Sequence, residues 1–373
     1  MNECDAIVHY SLKYEKGTLK KIKNLAALCL CAITAAVLFC VQPFSVLFYR
    51  HRRIKLLQQI AEDKKLLGSD SSRVAGLIDS FVKKDSLFKN LKKEDVTDAK
   101  DVAMATYAVT NSHLAPVLLD WTKSLFIRAK EENLRLVFMA RDGLGPYKMA
   151  RILQKEKPEF ASIPVSYVYL SRKVVAGSKE KLSRYLLQEG ISPDALKNNQ
   201  RFLFVDIGFL GSMIPTIRKA LSDIGVPSDP ESVENKVDFE FCVSTGKGAH
   251  GFVGNLRSVL PSVTSAGQNR GVYWIEDTHQ GVIESPSELI IGANGKLVPN
   301  SVEKGISCKD SNELDYLCKK VALEALKDKS RADVAISVDF SRKYNVVSGP
   351  LRESLDKFLR LVKTDRVLYV DHK

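Results

Sequence analysis

The sequence predicts an α/β protein: a mainly parallel sheet with flanking helices, preceded by a transmembrane helix and a helical stalk. Three observations predict it. From Leu134 onward, short β-rich runs alternate with helical patterns. The stretch 25–49 contains no charged residue. Between the two, a charged segment carries its apolar residues at helical spacing.

Residues 1–24 form a basic segment in which Lys13, Lys16, Lys20, Lys21 and Lys23 precede the apolar run. The run Leu25–Tyr49 would reach about 37 Å as a helix, enough to cross a hydrocarbon core of about 30 Å with tilt. A cleavable signal peptide is the rival reading, but the long charged prelude and the length of the run favour an uncleaved anchor in a lipid bilayer. Arg50, Arg52, Arg53 and Lys55 crowd the other flank, so the positive-inside rule nearly ties. Cys242, Cys308 and Cys318 form an odd, unpatterned set, which points to reduced thiols and places the soluble part on the cytoplasmic side of a single-pass span.

Residues 50–100 read as a charged helical linker, with two helical patterns around the break "GSDSS". Residues 101–373 read as the α/β domain with a C-terminal extension. It opens on a helix near 103–132 that holds Leu114, Val117, Leu118, Trp121, Leu125 and Phe126 on one face, with Pro116 in its first turn. Then come "LRLVFMA" as a strand, "GPYKMARILQKE" as a helix, "VSYVYLS" as a strand and "KEKLSRYLLQEG" as a helix. "RFLFVDIG" follows as a strand, "GSMIPTIRKALSDIG" as a helix, and "KVDFEFCVST" and "GVYWIE" as strands. Strands separated by helices of this length call for parallel pairing.

The formal charge of +12 and the pI near 9.2 suit an acidic partner, such as phosphate or anionic lipid. The lysines lie singly over predicted helix faces, without the compact Arg/aromatic stripe of nucleic-acid binders, which argues against nucleic acid. The six histidines have no ligand spacing, so no zinc site is expected. "TGKGAHG" has Gly246, Gly248 and Gly251 in GxGxxG spacing. No helix opens there and no acid follows at the required distance, so it reads as a loop over a crevice rather than a dinucleotide site.

Two strand ends carry the chemistry. "ARDG", at 140–143, and "FVDIGFLGSM", at 204–213, each end a buried strand in an acid and a glycine before a helix, an arrangement that suits a phosphate. Gly143 is expected in a backbone conformation that an L-residue resists. In the second loop Gly208 and Gly211 allow close backbone approach, Ser212 offers a hydroxyl, and Asp206 can accept from a ribose hydroxyl or hold a Mg²⁺. The alternative is that Asp206 only caps the following turn.

"SHLAPVLLDWTKSLFIRAKEENLRLVFMARDG", "YVYLSRK", "LFVDIGFLGSM" and "ESPSELIIGANGKL" occur in that order. Together they resemble a type I phosphoribosyltransferase-like domain, of the kind that follows haloacid dehalogenase-type phosphatase domains in bacterial surface-polysaccharide proteins. The resemblance covers 111–297. It implies that Arg141, Asp142 and Gly143 form a pyrophosphate loop, that Asp206, Gly211 and Ser212 belong to a phosphoribosyl loop, and that Ser171, Arg172 and Lys173 form a serine-arginine motif. By the same resemblance Glu284 and Glu288 face the site, the alternative being that they are exposed acids at a helix start. Val205 stands where active members carry the first of two acids, and the phosphatase domain itself is absent.

Two functions follow from the resemblance. One is a membrane-anchored phosphoribosyltransferase-like protein that binds a phosphorylated small molecule, a phosphorylated ribose or nucleotide-sugar, in surface-polysaccharide metabolism. Arg141, Asp142 and Asp206 would then be its catalytic groups, and Gly143, Ser171, Arg172, Lys173, Gly208, Gly211 and Ser212 would hold the phosphates, with Mg²⁺ on Asp206. The other is a non-catalytic, membrane-tethered interaction protein or exported bacterial effector that retains the fold.

Overall fold

The computed structural model describes residues 57–85, 88, 93–140, 142–196, 199–209, 211–244, 256–260, 286–300 and 313–332. Ile60–Lys373 make up one compact unit. The charge-free run 25–49 and "GVYWIE" lie outside the described residues. Among the described residues, no helix is long and apolar enough to cross a membrane.

The elements in chain order are α1 (Ser71–Lys84), α2 (Lys93–Val109), α3 (Ala115–Glu131), β1 (Leu134–Met139), α4 (Leu144–Glu156), α5 (Pro158–Ala161), β2 (Val165–Val168), α6 (Arg172–Ala176) and α7 (Lys179–Gln188). They continue with β3 (Arg201–Phe209), α8 (Ile214–Asp223), β4 (Val237–Ser244), β5 (Leu256–Leu260), β6 (Leu289–Ile291), β7 (Leu297–Pro299) and α9 (Glu313–Ala332). Strands β1 to β5 form one parallel sheet in the order β2-β1-β3-β4-β5. The pair β6–β7 is a separate antiparallel hairpin.

Side chains alternate across a strand, and here both faces are apolar, as a parallel sheet buried under helices requires. Leu134, Leu136 and Phe138 of β1 and Leu203, Val205 and Ile207 of β3 pack with α3, α4 and α5 on one face. Val137 and Met139 join Phe202, Phe204, Phe239 and Phe241 under α6, α7 and α8 on the other. The predicted α/β class with a parallel sheet and flanking helices is therefore present.

The expected helix near 103–132 is two helices. Helix α2 ends at Val109, a single π-helical turn spans Thr110–Leu114, and α3 begins at Ala115 with Pro116 in its first turn. Proline has no N–H, and its ring crowds the carbonyl four residues back, so the chain takes up one wide turn before it continues as a helix. Strand β5 is an addition to the predicted elements, because "LRSVL" places a charge in a short run that lacks clean alternation.

Within the segment 50–100, α1 packs on α2 and α9. Val74 and Ile78 are fully buried with Ala103, Tyr107, Val321 and Ala325. A polar clasp reinforces this layer: the Tyr107 hydroxyl donates to Asp328 at 2.6 Å, while the Arg73 guanidinium donates to both Tyr107 (2.9 Å) and Asp328 (2.8 Å).

Candidate functional site

The strand order places a topological switch between β1 and β3, since the chain leaves β1 toward β2 on one side and continues through β3 on the other. Where connections diverge in this way, the region beyond the carboxyl ends of the strands is the usual ligand position in open α/β sheets. The rim is notched. The last β1–β3 pair is Phe138 with Val205, whereas β3 stays paired to β4 as far as Phe209 with Ser244. Asp206 is thus the first β3 residue beyond the reach of β1, and it is only 8% exposed.

The floor of the notch is the turn after β1. The Ala140 N–H donates to the Val168 carbonyl at 2.7 Å and the Gly143 N–H to the Met139 carbonyl at 2.9 Å. Gly143 caps α4 with φ −71° and ψ −1°, so the expected left-handed conformation is not found. Glycine is required for a different reason: a Cβ there would lie 2.4 Å from the Met139 carbonyl oxygen. The backbone of the turn folds too tightly on the strand end for any side chain. Gly211 does take the left-handed conformation, at φ +64°, and its carbonyl accepts the Ile214 N–H as α8 begins.

The other predicted residues are disposed as follows. Asp142 lies half-buried in the turn after β1, and Arg141 lies outside the described residues. Gly208 is within β3, opposite Val243, and Ser212 is exposed before α8. Ser171 is buried and caps α6, accepting from the Val174 N–H at 3.1 Å while donating to the Pro286 carbonyl. Its hydroxyl is therefore committed to tying the β6–β7 segment to the sheet. Arg172 and Lys173 are exposed on α6. Glu288 is exposed at the start of β6, where the Asn300 side chain accepts its N–H, and Glu284 lies outside the described residues. Among the described residues, no three His, Cys, Asp or Glu side chains form a metal-holding group.

Sequence reasoning passed over the tyrosines beside the notch. Tyr147 stacks on Tyr167 with ring centroids 5.2 Å apart, and Tyr167 meets Tyr169 edge-on at 5.2 Å. The Tyr167 hydroxyl is sealed from solvent and finds no hydrogen-bond partner among the described residues. Burial, and then the neighbouring Tyr169, Asp142 and Asp206, push its phenol far above the ordinary value, so it stays a neutral donor. The available signal was "YVY" at a strand end.

A second polar cluster lies at the opposite end of the sheet. Asp238 and Glu240 point from β4 toward α3, where Arg128 donates to them at 3.0 and 2.7 Å. Arg201 reaches Asp238 at 2.7 Å, and Trp121 donates to Glu240 at 3.1 Å. Buried carboxylates of this kind must be paired to be tolerated. Their position, close to the amino ends of β3 and β4, makes them a structural tie rather than part of the crevice.

Neither the protein families nor the curated proteins searched contain a match to this chain.

Proposed function

We propose that the crevice beyond β1 and β3 binds a phosphorylated ribose or nucleotide-sugar, in a phosphoribosyltransferase-like protein anchored to a membrane by the run 25–49. The observation that carries this reading is the placement of Asp142, in the turn after β1, and Asp206, on β3 just past its last pairing with β1, on neighbouring strands at the topological switch of a parallel sheet. The ordered motifs of the sequence support it independently. In this reading the backbone amides of the turns, with Arg141 and Lys173, neutralise phosphate, and Asp206 orients the ribose. The residues suit Mg²⁺, which takes one or two carboxylates and completes its shell with phosphate oxygens and water. When bound, it would supply charge neutralisation for a pyrophosphate.

A second reading has its own support. Val205, at the position of the first acid in active transferases, is fully buried in the core, so no carboxylate can take its place without repacking. This favours a non-catalytic, membrane-tethered interaction protein or exported effector that keeps the ligand crevice and loses turnover.

A thermal-shift screen of the full-length chain with ribose 5-phosphate, pyrophosphate and nucleotide-sugars, with and without Mg²⁺, tests the binding reading. A ligand at about a hundred times its Kd stabilises by about 2.7 kcal/mol. Asp206→Asn is expected to weaken that ligand by about tenfold, the scale of one hydrogen bond to a charged group. Absence of any shift across the screen refutes ligand binding. Turnover of a phosphoribosyl donor would separate the enzyme from the binding protein.

A further inference from the structure

The β6–β7 hairpin is not part of the five-stranded sheet, and α7 holds it by its backbone. Lys181, Arg184 and Gln188 follow one another at intervals of three and four residues, so they share one face of α7. Lys181 donates to the Leu289 carbonyl at 3.2 Å and Arg184 to the Gly295 carbonyl at 3.3 Å. Gln188 exchanges two hydrogen bonds with the Leu297 backbone, at 2.7 and 2.8 Å. The side chains of Leu289 and Leu297 fill the core beneath. Side chains alternate along a strand and directly opposite residues share a face, so Ile290, paired with Val298, turns away from that core. Ile290 is 40% exposed and Ile291, the last residue of β6, 64%. Lys296 continues the ladder toward the turn, its carbonyl accepting the Gly292 N–H at 2.7 Å, and its side chain is exposed.

Charge and area decide what would cover the two isoleucines. Together α7 and the hairpin expose Lys179, Lys181, Arg184 and Lys296 against Glu180 and Glu288. A second copy of the chain meeting this face about a two-fold axis would set like charges against each other. The bonds from α7 also occupy Leu289 on the β6 edge and Leu297 on the β7 edge, which disfavours edge-to-edge strand pairing. A stable protein interface takes about 800 Å² from each partner, more than two isoleucines supply. An anionic bilayer asks for less: a small apolar wedge in the headgroup layer with cations around it, each cation strengthening binding by about fivefold. We propose that the β6–β7 hairpin docks on an anionic lipid surface, with Ile290 and Ile291 entering the interfacial layer and Lys181, Arg184 and Lys296 facing the lipid headgroups. The inference depends neither on what the crevice binds nor on the anchor at 25–49.

The test footprints the lysines of the full-length chain by acetylation and mass spectrometry, with an excess of nanodiscs made of phosphatidylcholine alone or mixed with phosphatidylserine. Lys296 is expected to react several-fold more slowly on the anionic discs only. Lys155, exposed on α4 over the opposite face of the sheet, should react equally on both. The double variant Ile290→Ser, Ile291→Ser should return Lys296 to its rate on phosphatidylcholine with the melting temperature unchanged, since both side chains are exposed. Salt at about 1 M, where the Debye length is about 3 Å, should strip the protection from wild type without any substitution, and this arm decides if the variant melts lower. Recovery of the chain with phosphatidylcholine discs reports on the anchor alone, so its failure is distinct from failure of the hairpin. Protection that is absent, equal on both lipids or indifferent to salt overturns the proposal, as does protection that persists in a double variant of unchanged melting temperature. Protection that needs no lipid and grows with protein concentration overturns it in favour of a second copy.

Discussion

Replacing Gly143 with alanine separates two explanations of why glycine stands at the head of α4. If glycine served a left-handed conformation, the cost would lie in φ, but φ is −71°, which alanine adopts freely. The cost here is steric. The new Cβ would lie 2.4 Å from the Met139 carbonyl oxygen and 3.1 Å from the Met139 nitrogen. Both are backbone atoms of a strand held between β2 and β3. Relief requires the start of α4 to move by about 0.5–1 Å, and overpacking of this kind costs about 1–3 kcal/mol. For a domain of this size that lowers the melting temperature by about 2–12 °C. Gly76 is the internal control: it lies inside α1, and a methyl group added there would meet nothing within 4 Å. Gly76→Ala should therefore stabilise by about 0.5–1 kcal/mol through helix propensity. Urea denaturation of both variants decides the matter. A Gly143→Ala protein as stable as wild type would refute the steric account, and the same sign of change in both variants would refute the reasoning that separates them.

Arg128→Met leaves Glu240 and Asp238, the latter 1% exposed, without their shared guanidinium. A loss of about 3–5 kcal/mol is expected in urea denaturation, and a loss under about 1 kcal/mol, the scale of an exposed pair, would show that Arg201 suffices. Burial alone would raise the Asp328 carboxyl, but hydrogen bonds from Tyr107 and Arg73 outweigh it and hold the group below its ordinary value. Its contribution to stability is therefore present above about pH 4 and lost as the pH falls through the depressed value. Asp328→Asn should be less stable than wild type at neutral pH, with the gap closing in acid; a gap independent of pH would refute the linkage. Burial pushes the Cys242 thiol far up, with Glu240 adding to the effect. Native protein should thus leave Cys242 unalkylated by iodoacetamide at about pH 8, while urea-unfolded protein reacts.

Much of the fold was legible because its signals are local. The apolar runs that became β1, β3 and β4 and the helical patterns that became α4, α7 and α8 depend on periods of about 2 and 3.6 residues, which the chain carries without reference to distant partners. The acid-and-glycine corners at 140–143 and 204–213 were visible for the same reason, since a strand that ends in a tight turn announces itself within a few residues.

Other features belong to contacts that no local pattern encodes. The order β2-β1-β3-β4-β5, which makes those two corners neighbours, follows from how helices cover both faces of the sheet. Gly143 was recognised as necessary, but its reason, contact with the Met139 carbonyl, appears only when turn and strand are folded together. Ser171, which the resemblance places in a phosphate-binding motif, donates its hydroxyl hydrogen to Pro286, 115 residues away, a contact no local pattern announces. Tyr167 read as one more strand aromatic, and only the packing around it shows that its hydroxyl ends in a dry place without a partner among the described residues. Local periodicity determined which residues form strands, helices and turns. The burial of polar groups, settled only by what packs around them, decided which of those residues hold the fold together.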